Sequence, residues 1–187
     1  MIQKFITDIE LKGVNEEERS FVAWASKGTL DRDDEIIDPA GWLLKNFQKN
    51  PVIPLFHNYG DFPIAKSIWT KQEPKDKPIG LLFKPQFAET ELGQEAFYLY
   101  QNGYMNAFSV GFDPFEWEVD GEQYSKAKDG DFQIWQKGYV EQKKKKPRCT
   151  YRKQDLLEIS GVLVPAHADA LIEARSHVST PEMKQYL

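Results

Sequence analysis

Short segments of alternating apolar and polar residues, broken by glycine and proline, recur along this chain and constrain its fold more than any other feature. In the first of them, Phe21, Ala23 and Ala25 alternate with the intervening residues, and the pattern ends at Gly28. This alternation is typical of half-buried antiparallel strands, whereas strands of parallel sheets are continuous apolar runs. Because such segments outnumber the helical ones, the sequence predicts an α+β domain that is mainly an antiparallel β-barrel.

Two helices are predicted among the strands. Asp38, followed by Pro39, is typical of an N-cap and predicts a helix whose buried stripe contains Trp42, Leu43, Leu44 and Phe47. Thr90 predicts the start of a second helix that runs through Tyr100 and stops at Asn102 and Gly103. A short third helix is expected at 168–175. Further strands are expected at 51–56, 64–69, 80–85, around Ser109 and around Glu158.

Length and composition favour one domain. With 187 residues, of which 41% are hydrophobic and 13% aromatic, the chain can bury a sizeable core, and no linker divides it. We therefore expect a single domain over 1–187, with a basic insertion or hairpin at about 116–150. Residues 136–153 hold eight Lys/Arg and one acidic residue, so they carry +7 and the remainder about −12. The run Lys143 to Lys146 is either a solvated loop or an electrostatic handle for an acidic segment or nucleic acid.

Several function classes are disfavoured. A net charge of −5 argues against nucleic-acid binding by the whole domain, and no run reaches the ~18 apolar residues of a membrane span. The N-terminus lacks a signal-peptide core, so a cytoplasmic location is expected. Cys149 is the only cysteine and lies in a basic polar stretch, which indicates a bystander thiol. Asp31, Asp33 and Asp34 lack the remaining ligands of an EF-hand and are interpreted as turn residues.

Candidate catalytic residues come from two separate motifs. Ser109 lies in NAFSVGF with Gly111 two positions later, and His57 ends the proline-framed segment PVIPLFH. A serine hydroxyl is a poor nucleophile unless an adjacent base takes its proton, and imidazole can do so at neutral pH. Gly111 is expected to share a strand face with Ser109, where it would either leave room for a substrate backbone or mark a β-bulge.

A third candidate lies in the apolar run DLLEISGVLVPAHADA. Alternation assigns Leu156, Glu158, Ser160 and Val162 to one face of a strand. A buried carboxylate needs a partner, and the N–H of a catalytic histidine is a suitable one. An edge-strand glutamate that faces water fits the spacing equally well.

Taken together, these motifs resemble the caudovirus prohead protease family, which is related in fold to the herpesvirus assemblins. The resemblance is carried by the acidic turn, the strand that ends in His57, the helix followed by FSVGF, and L-x-E-I-S-x-V-x-x-P-A, and it extends from about Phe21 to Ala170. It implies a closed antiparallel barrel with flanking helices. It also implies a serine endopeptidase of capsid maturation with Ser109 as nucleophile, His57 as general base and an acidic third member, assigned to Glu158.

The resemblance implies substrates and location as well. The expected substrates are scaffold protein, major capsid protein and the protease itself, cut inside the assembling prohead in the host cytoplasm, without cofactor or metal. It leaves a homo-oligomer open. Herpesvirus relatives use a second histidine in the third role, so His167 remains the alternative to Glu158.

Two other function classes stay open. One is a non-catalytic capsid-assembly or structural barrel protein, in which Ser109 and His57 never meet. The other is a metal-dependent hydrolase using His57, Asp61, His167 and Asp169, although no H-E-x-x-H pattern is present.

Overall fold

The computed structural model describes residues 14–73, 75–120, 122–125, 147–167 and 170. These residues form nine strands and one α-helix: β1 Ala23–Lys27, β2 Glu35–Ile37, β3 Trp42–Leu43, β4 Val52–Ile53, β5 Ala65–Glu73, β6 Gly80–Phe87, α1 Glu91–Gln101, β7 Ala107–Val119, β8 Glu122–Ser125 and β9 Cys149–Val162. The described part of the chain is therefore mostly β with a single helix, as the alternation predicts.

The strands form two sheets. One has the order β1-β6-β5-β4 and is antiparallel throughout. The other has the order β2-β9-β7-β8, with β3 also paired to β9; β7 is antiparallel to both β8 and β9, whereas β2 and β3 run parallel to β9. A parallel bridge between Leu55 and Gly161 links the end of β4 to β9. The antiparallel strands curl into a half-barrel.

Aromatic side chains fill the core between the sheets. Phe21, Phe83, Tyr100 and Phe108 are fully buried, and the rings of Tyr100 and Phe108 stack with centroids 4.8 Å apart. Phe108 therefore anchors β7 on its core face. Because side chains alternate along a strand, the next residue, Ser109, lies on the opposite face.

The helix predicted at Thr90 is confirmed. The Thr90 hydroxyl accepts a hydrogen bond from the amide of Gly93 at 3.2 Å, and Ala96, Phe97 and Tyr100 are buried against the core. The helix ends at Gln101, and Gly103 adopts φ 83°, which a residue without a Cβ tolerates best.

The helix predicted after Asp38 is wrong. Asp38 does cap a turn, since its carboxylate accepts the amide of Ala40 at 3.0 Å, but the turn is a 3₁₀ segment at Pro39–Gly41 and β3 follows it directly. β3 pairs with β9, and Gly41 lies so close to Arg152 that a Cβ would strike the Arg152 carbonyl. Pairing with β9 thus supplies the hydrogen bonds that a helix would otherwise make.

The remaining predictions about burial, strands and turns are confirmed in part. Trp42 and Phe47 are buried as predicted, whereas Leu43 is 39% exposed. The proline-framed segment contains only the short strand β4. Asp120 forms the predicted turn, with φ 52°, between β7 and β8. The run Lys143 to Lys146 and nearly all of 168–175 lie outside the described residues.

No helix in the described part of the chain combines the length and apolar character needed to span a membrane.

Candidate active site

The candidate site lies where β7 and β9 pair, on the face opposite the core. Ser109 is directly across from Ser160, and Gly111 is directly across from Glu158. Their neighbours Phe108, Val110 and Ile159 pack in the core. Ser109, Ser160 and Glu158 therefore project from the same face of the sheet, as antiparallel neighbours do.

A bulge in β9 sets this orientation. Gly111 pairs with Glu158 but Phe112 pairs with Leu156, so Leu157 is an extra residue and is 56% exposed. Simple alternation places Leu156 on the face of Glu158, and this is wrong because the bulge shifts the period by one residue. Leu156 is instead fully buried in the core.

The chain delivers His57 to this face through a sharp turn. The Leu55–Gly161 bridge and a hydrogen bond of 2.9 Å from the Phe56 amide to the Gly161 carbonyl hold the segment against β9. Phe56 and His57 then adopt φ of 54° and 57°, a region that non-glycine residues occupy at a cost. Such strain is found most often at functional sites.

Glu158 is a buried carboxylate with three donors. Its Oε1 contacts His57 Nδ1 and accepts the Tyr59 hydroxyl at 3.1 Å, while its Oε2 accepts the Ser160 hydroxyl. The side chain of Glu158 is 6% exposed, and that of His57 is 41% exposed. Because a buried carboxylate is costly without partners, these contacts account for its position.

The contact with Glu158 also fixes the state of the imidazole ring. An ionised carboxylate can only accept a hydrogen bond, so the contact fits the tautomer of His57 that carries its hydrogen on Nδ1. In the neutral ring, Nε2 then holds the lone pair. In this arrangement His57 Nε2 can take a proton, and Glu158 can stabilise the cation that results.

Tyr59 and Ser160 are functional candidates whose roles the sequence did not assign. Burial, followed by the Glu158 charge, raises the pKa of Tyr59, which keeps its phenol protonated and able to donate. Ser160 is fully buried and accepts the His57 amide at 3.3 Å while donating to Glu158. Tyr59 lies two residues after His57, and Ser160 lies two residues after Glu158. This spacing is the only signal in the sequence that could have identified them.

Ser109 is half-buried and lies on the same face as His57 and Glu158. Within the described residues, no hydrogen bond joins its hydroxyl to the His57 ring. The structure therefore brings His57 and Glu158 into contact and places Ser109 two residue pairs further along the same two strands, on the same face.

Gly111 leaves the space that the Glu158 side chain occupies. A Cβ at this position would lie 2.8 Å from Glu158 Cγ and Oε1. The expectation that Gly111 leaves room for a substrate backbone stays a prediction. A β-bulge does lie beside Gly111, but its extra residue is Leu157 on β9 and not Gly111 itself.

His167, the alternative third member, has a different partner. Its Nε2 lies 2.8 Å from the Thr29 hydroxyl and 3.0 Å from the Thr29 carbonyl oxygen, and the residue is 6% exposed. Glu158 is thus the group that contacts His57 Nδ1.

The residues of the metal-hydrolase alternative are dispersed or undescribed. His57 contacts Glu158, His167 contacts Thr29, Asp61 is exposed, and Asp169 lies outside the described residues. In the described ranges, no cluster of three or more His, Cys, Asp or Glu side chains is arranged to hold a metal ion.

No protein-family model, curated protein or solved structure matches this chain.

Proposed function

We propose that this protein is a serine endopeptidase of phage capsid maturation, with Ser109 as nucleophile, His57 as general base and Glu158 as the third member. The observation that supports it best is the contact of His57 Nδ1 with a buried carboxylate, on the sheet face that also presents Ser109. The finer fold assignment, a closed barrel of the herpesvirus-protease type, is part of the same proposal.

The proposed reaction proceeds through an acyl-enzyme. His57 Nε2 takes the Ser109 proton as the serine oxygen bonds to the scissile carbonyl carbon. The carbon–nitrogen bond then breaks, and the leaving amine takes the proton from His57. A water molecule, deprotonated by His57, attacks the ester, which releases the acid and restores Ser109. All atoms and protons balance without a cofactor.

The missing hydrogen bond between Ser109 and His57 is compatible with this chemistry. Catalytic hydrogen bonds are often long before substrate binds and tighten in the complex. The proposed substrates are scaffold protein, major capsid protein and the protease itself, within the assembling prohead in the host cytoplasm.

The test uses a fluorophosphonate, which reacts only with activated serines, followed by intact mass and peptide mapping. Wild type should gain one adduct at Ser109, whereas Ser109→Ala and His57→Ala should gain none. Ser125→Ala is the matched control because Ser125 is an exposed serine in β8. The same variants are incubated with candidate scaffold and major capsid proteins from the genome that encodes this chain, and only wild type and the control should cut them.

Two results would contradict the proposal. An adduct at Ser160 would move the nucleophile to the neighbouring strand. Wild-type protein that neither reacts nor cuts would favour the non-catalytic assembly protein.

A further inference from the structure

A cavity of about 200 Å³ opens beside Ser109. Its polar lining consists of Ser26, Asp31, Asp33, Glu35, Ser109 and His167. Pockets for drug-sized ligands are typically about 300–1,000 Å³, so this volume suits a single side chain. Because Ser109 is one of the lining residues, a side chain that enters the cavity would lie near Ser109.

Five of the eleven lining residues are apolar, and the charged part of the lining is acidic. Asp31, Asp33 and Glu35 come from the loop and strand that follow β1, and Asp31 Oδ1 shapes the loop by accepting the amides of Asp33 at 2.9 Å and Glu35 at 2.8 Å. Glu35 is paired with Arg148. The remaining two carboxylates leave an excess of negative charge beside the cavity.

The nearest cation on the loop is directed elsewhere. The guanidinium of Arg32 donates to the carbonyl of Pro165, and Arg32 is not part of the cavity lining. Burial is the main cause that raises the pKa of Glu35, which indicates that water is partly excluded from this carboxylate. A cation entering here would be attracted more strongly than at a fully solvated surface.

Ser26 supplies a second, independent observation. Ser26 lines the cavity and is only 1% exposed, yet its hydroxyl has no hydrogen-bond partner among the described residues. Buried polar groups are normally partnered, so an unsatisfied hydroxyl indicates a polar group that is supplied from outside. A hydroxyl oxygen and two carboxylates are acceptors suited to an ammonium or guanidinium group.

We propose that this cavity binds the side chain of a lysine or arginine adjacent to the scissile bond, so that the enzyme selects basic cleavage sites. This inference rests on the proposed function, because it takes Ser109 as the nucleophile. The acidic residues supply the attraction and Ser26 supplies an additional acceptor.

The test is digestion of a proteome-derived peptide library, with the cut sites read by mass spectrometry. Cuts made by wild type and absent with Ser109→Ala should be enriched in lysine or arginine on one side of the bond. Asp33→Asn should lower that enrichment about three- to tenfold, as expected for loss of one partly screened charge contact. Asp31→Asn should act in the same direction while its Oδ1 still accepts the loop amides.

The matched control is Glu95→Gln, which removes one negative charge from the exposed face of α1 and should leave the enrichment unchanged. If no cut depends on Ser109, the proposed function itself fails. If cuts depend on Ser109 but show no basic enrichment, or if Asp33→Asn preserves the enrichment, the cavity proposal alone is overturned.

Discussion

Gly111 gives Glu158 the space that its side chain occupies. The two residues are directly opposed on β7 and β9, and a Cβ at Gly111 would lie 2.8 Å from both Cγ and Oε1 of the glutamate. The Oε1 atom is the one that contacts His57. A glycine on the strand of the proposed nucleophile therefore determines whether the carboxylate can reach the proposed base.

Gly111→Ala should displace the Glu158 carboxylate and lower kcat by about tenfold or more, because a misplaced partner no longer stabilises the imidazolium. It should also lower the free energy of unfolding by about 1–3 kcal/mol, as overpacking does. Activity assays and denaturant unfolding measure the two effects.

The control is a double-mutant cycle with Glu158→Ala. If the glutamate side chain is the obstacle, the alanine at 111 should cost much less stability when Glu158 has been truncated. An unchanged cost in the double variant would place the strain elsewhere.

Ser160→Ala should lower kcat by about tenfold while KM changes little. Ser160 donates to Glu158 and accepts the His57 amide, so its loss removes the group that holds both. The free energy of unfolding should fall by about 1–3 kcal/mol because a buried carboxylate loses a donor. Steady-state kinetics separate the two parameters, with Ser125→Ala as control. Equal changes in kcat and KM would argue against a positioning role.

Glu158→Gln should retain the fold and lose less activity than His57→Ala, whose loss should reach about 10²–10⁴-fold. The amide oxygen can still accept the Nδ1 hydrogen of His57, but an uncharged group stabilises the imidazolium poorly. Both variants are assayed on the same substrate. An unaffected Glu158→Gln together with a crippled His167→Ala would assign the third role to His167.

Cys149 should react slowly in the native protein. Burial, followed by the Glu35 charge, raises the pKa of its thiol from 9.0 to about 11, so the thiolate fraction at pH 8 is about a hundredfold lower than in the unfolded chain. Alkylation with and without denaturant measures the ratio. Cys149→Ala should leave cleavage unchanged.

The same shift predicts a pH dependence. A thiol whose pKa is raised in the folded state favours folding fully below pH 9 and loses that contribution as the pH rises towards 11. The stability difference between wild type and Cys149→Ala should therefore shrink across this window. A constant difference would show that the thiol is not buried in solution.

Local chemistry explains which parts of the fold could be predicted from the sequence. Thr90 and Gly103 act through contacts a few residues away, so the cap and stop of α1 are readable from the chain. Asp38 is equally typical of a cap, but the segment after it pairs with β9, more than a hundred residues distant. Tertiary pairing of this kind overrides local preference and leaves no local signal.

The candidate site was likewise predictable only in part. Glu158 could be identified as a candidate because a carboxylate is unusual in an apolar run, and His57 because it ends a proline-framed segment. The structure brings these two residues into contact. The contributions of Tyr59 and Ser160 depend on the turn that follows β4 and on the register of β9. Neither follows from residue types alone.

Because of the bulge at Leu157, the orientation of Glu158 depends on the number of residues in this stretch of β9 as well as on their types. Leu156 and Ile159 both reach the core although they are three positions apart, and only the extra residue between them allows this. A substitution of Leu157, whose side chain points to solvent, should leave the pairing of β7 with β9 unchanged. A one-residue insertion or deletion elsewhere between Gln154 and Ile159 would interchange the inward and outward side chains. Length variation in this stretch should therefore be far more damaging than variation in its residue types.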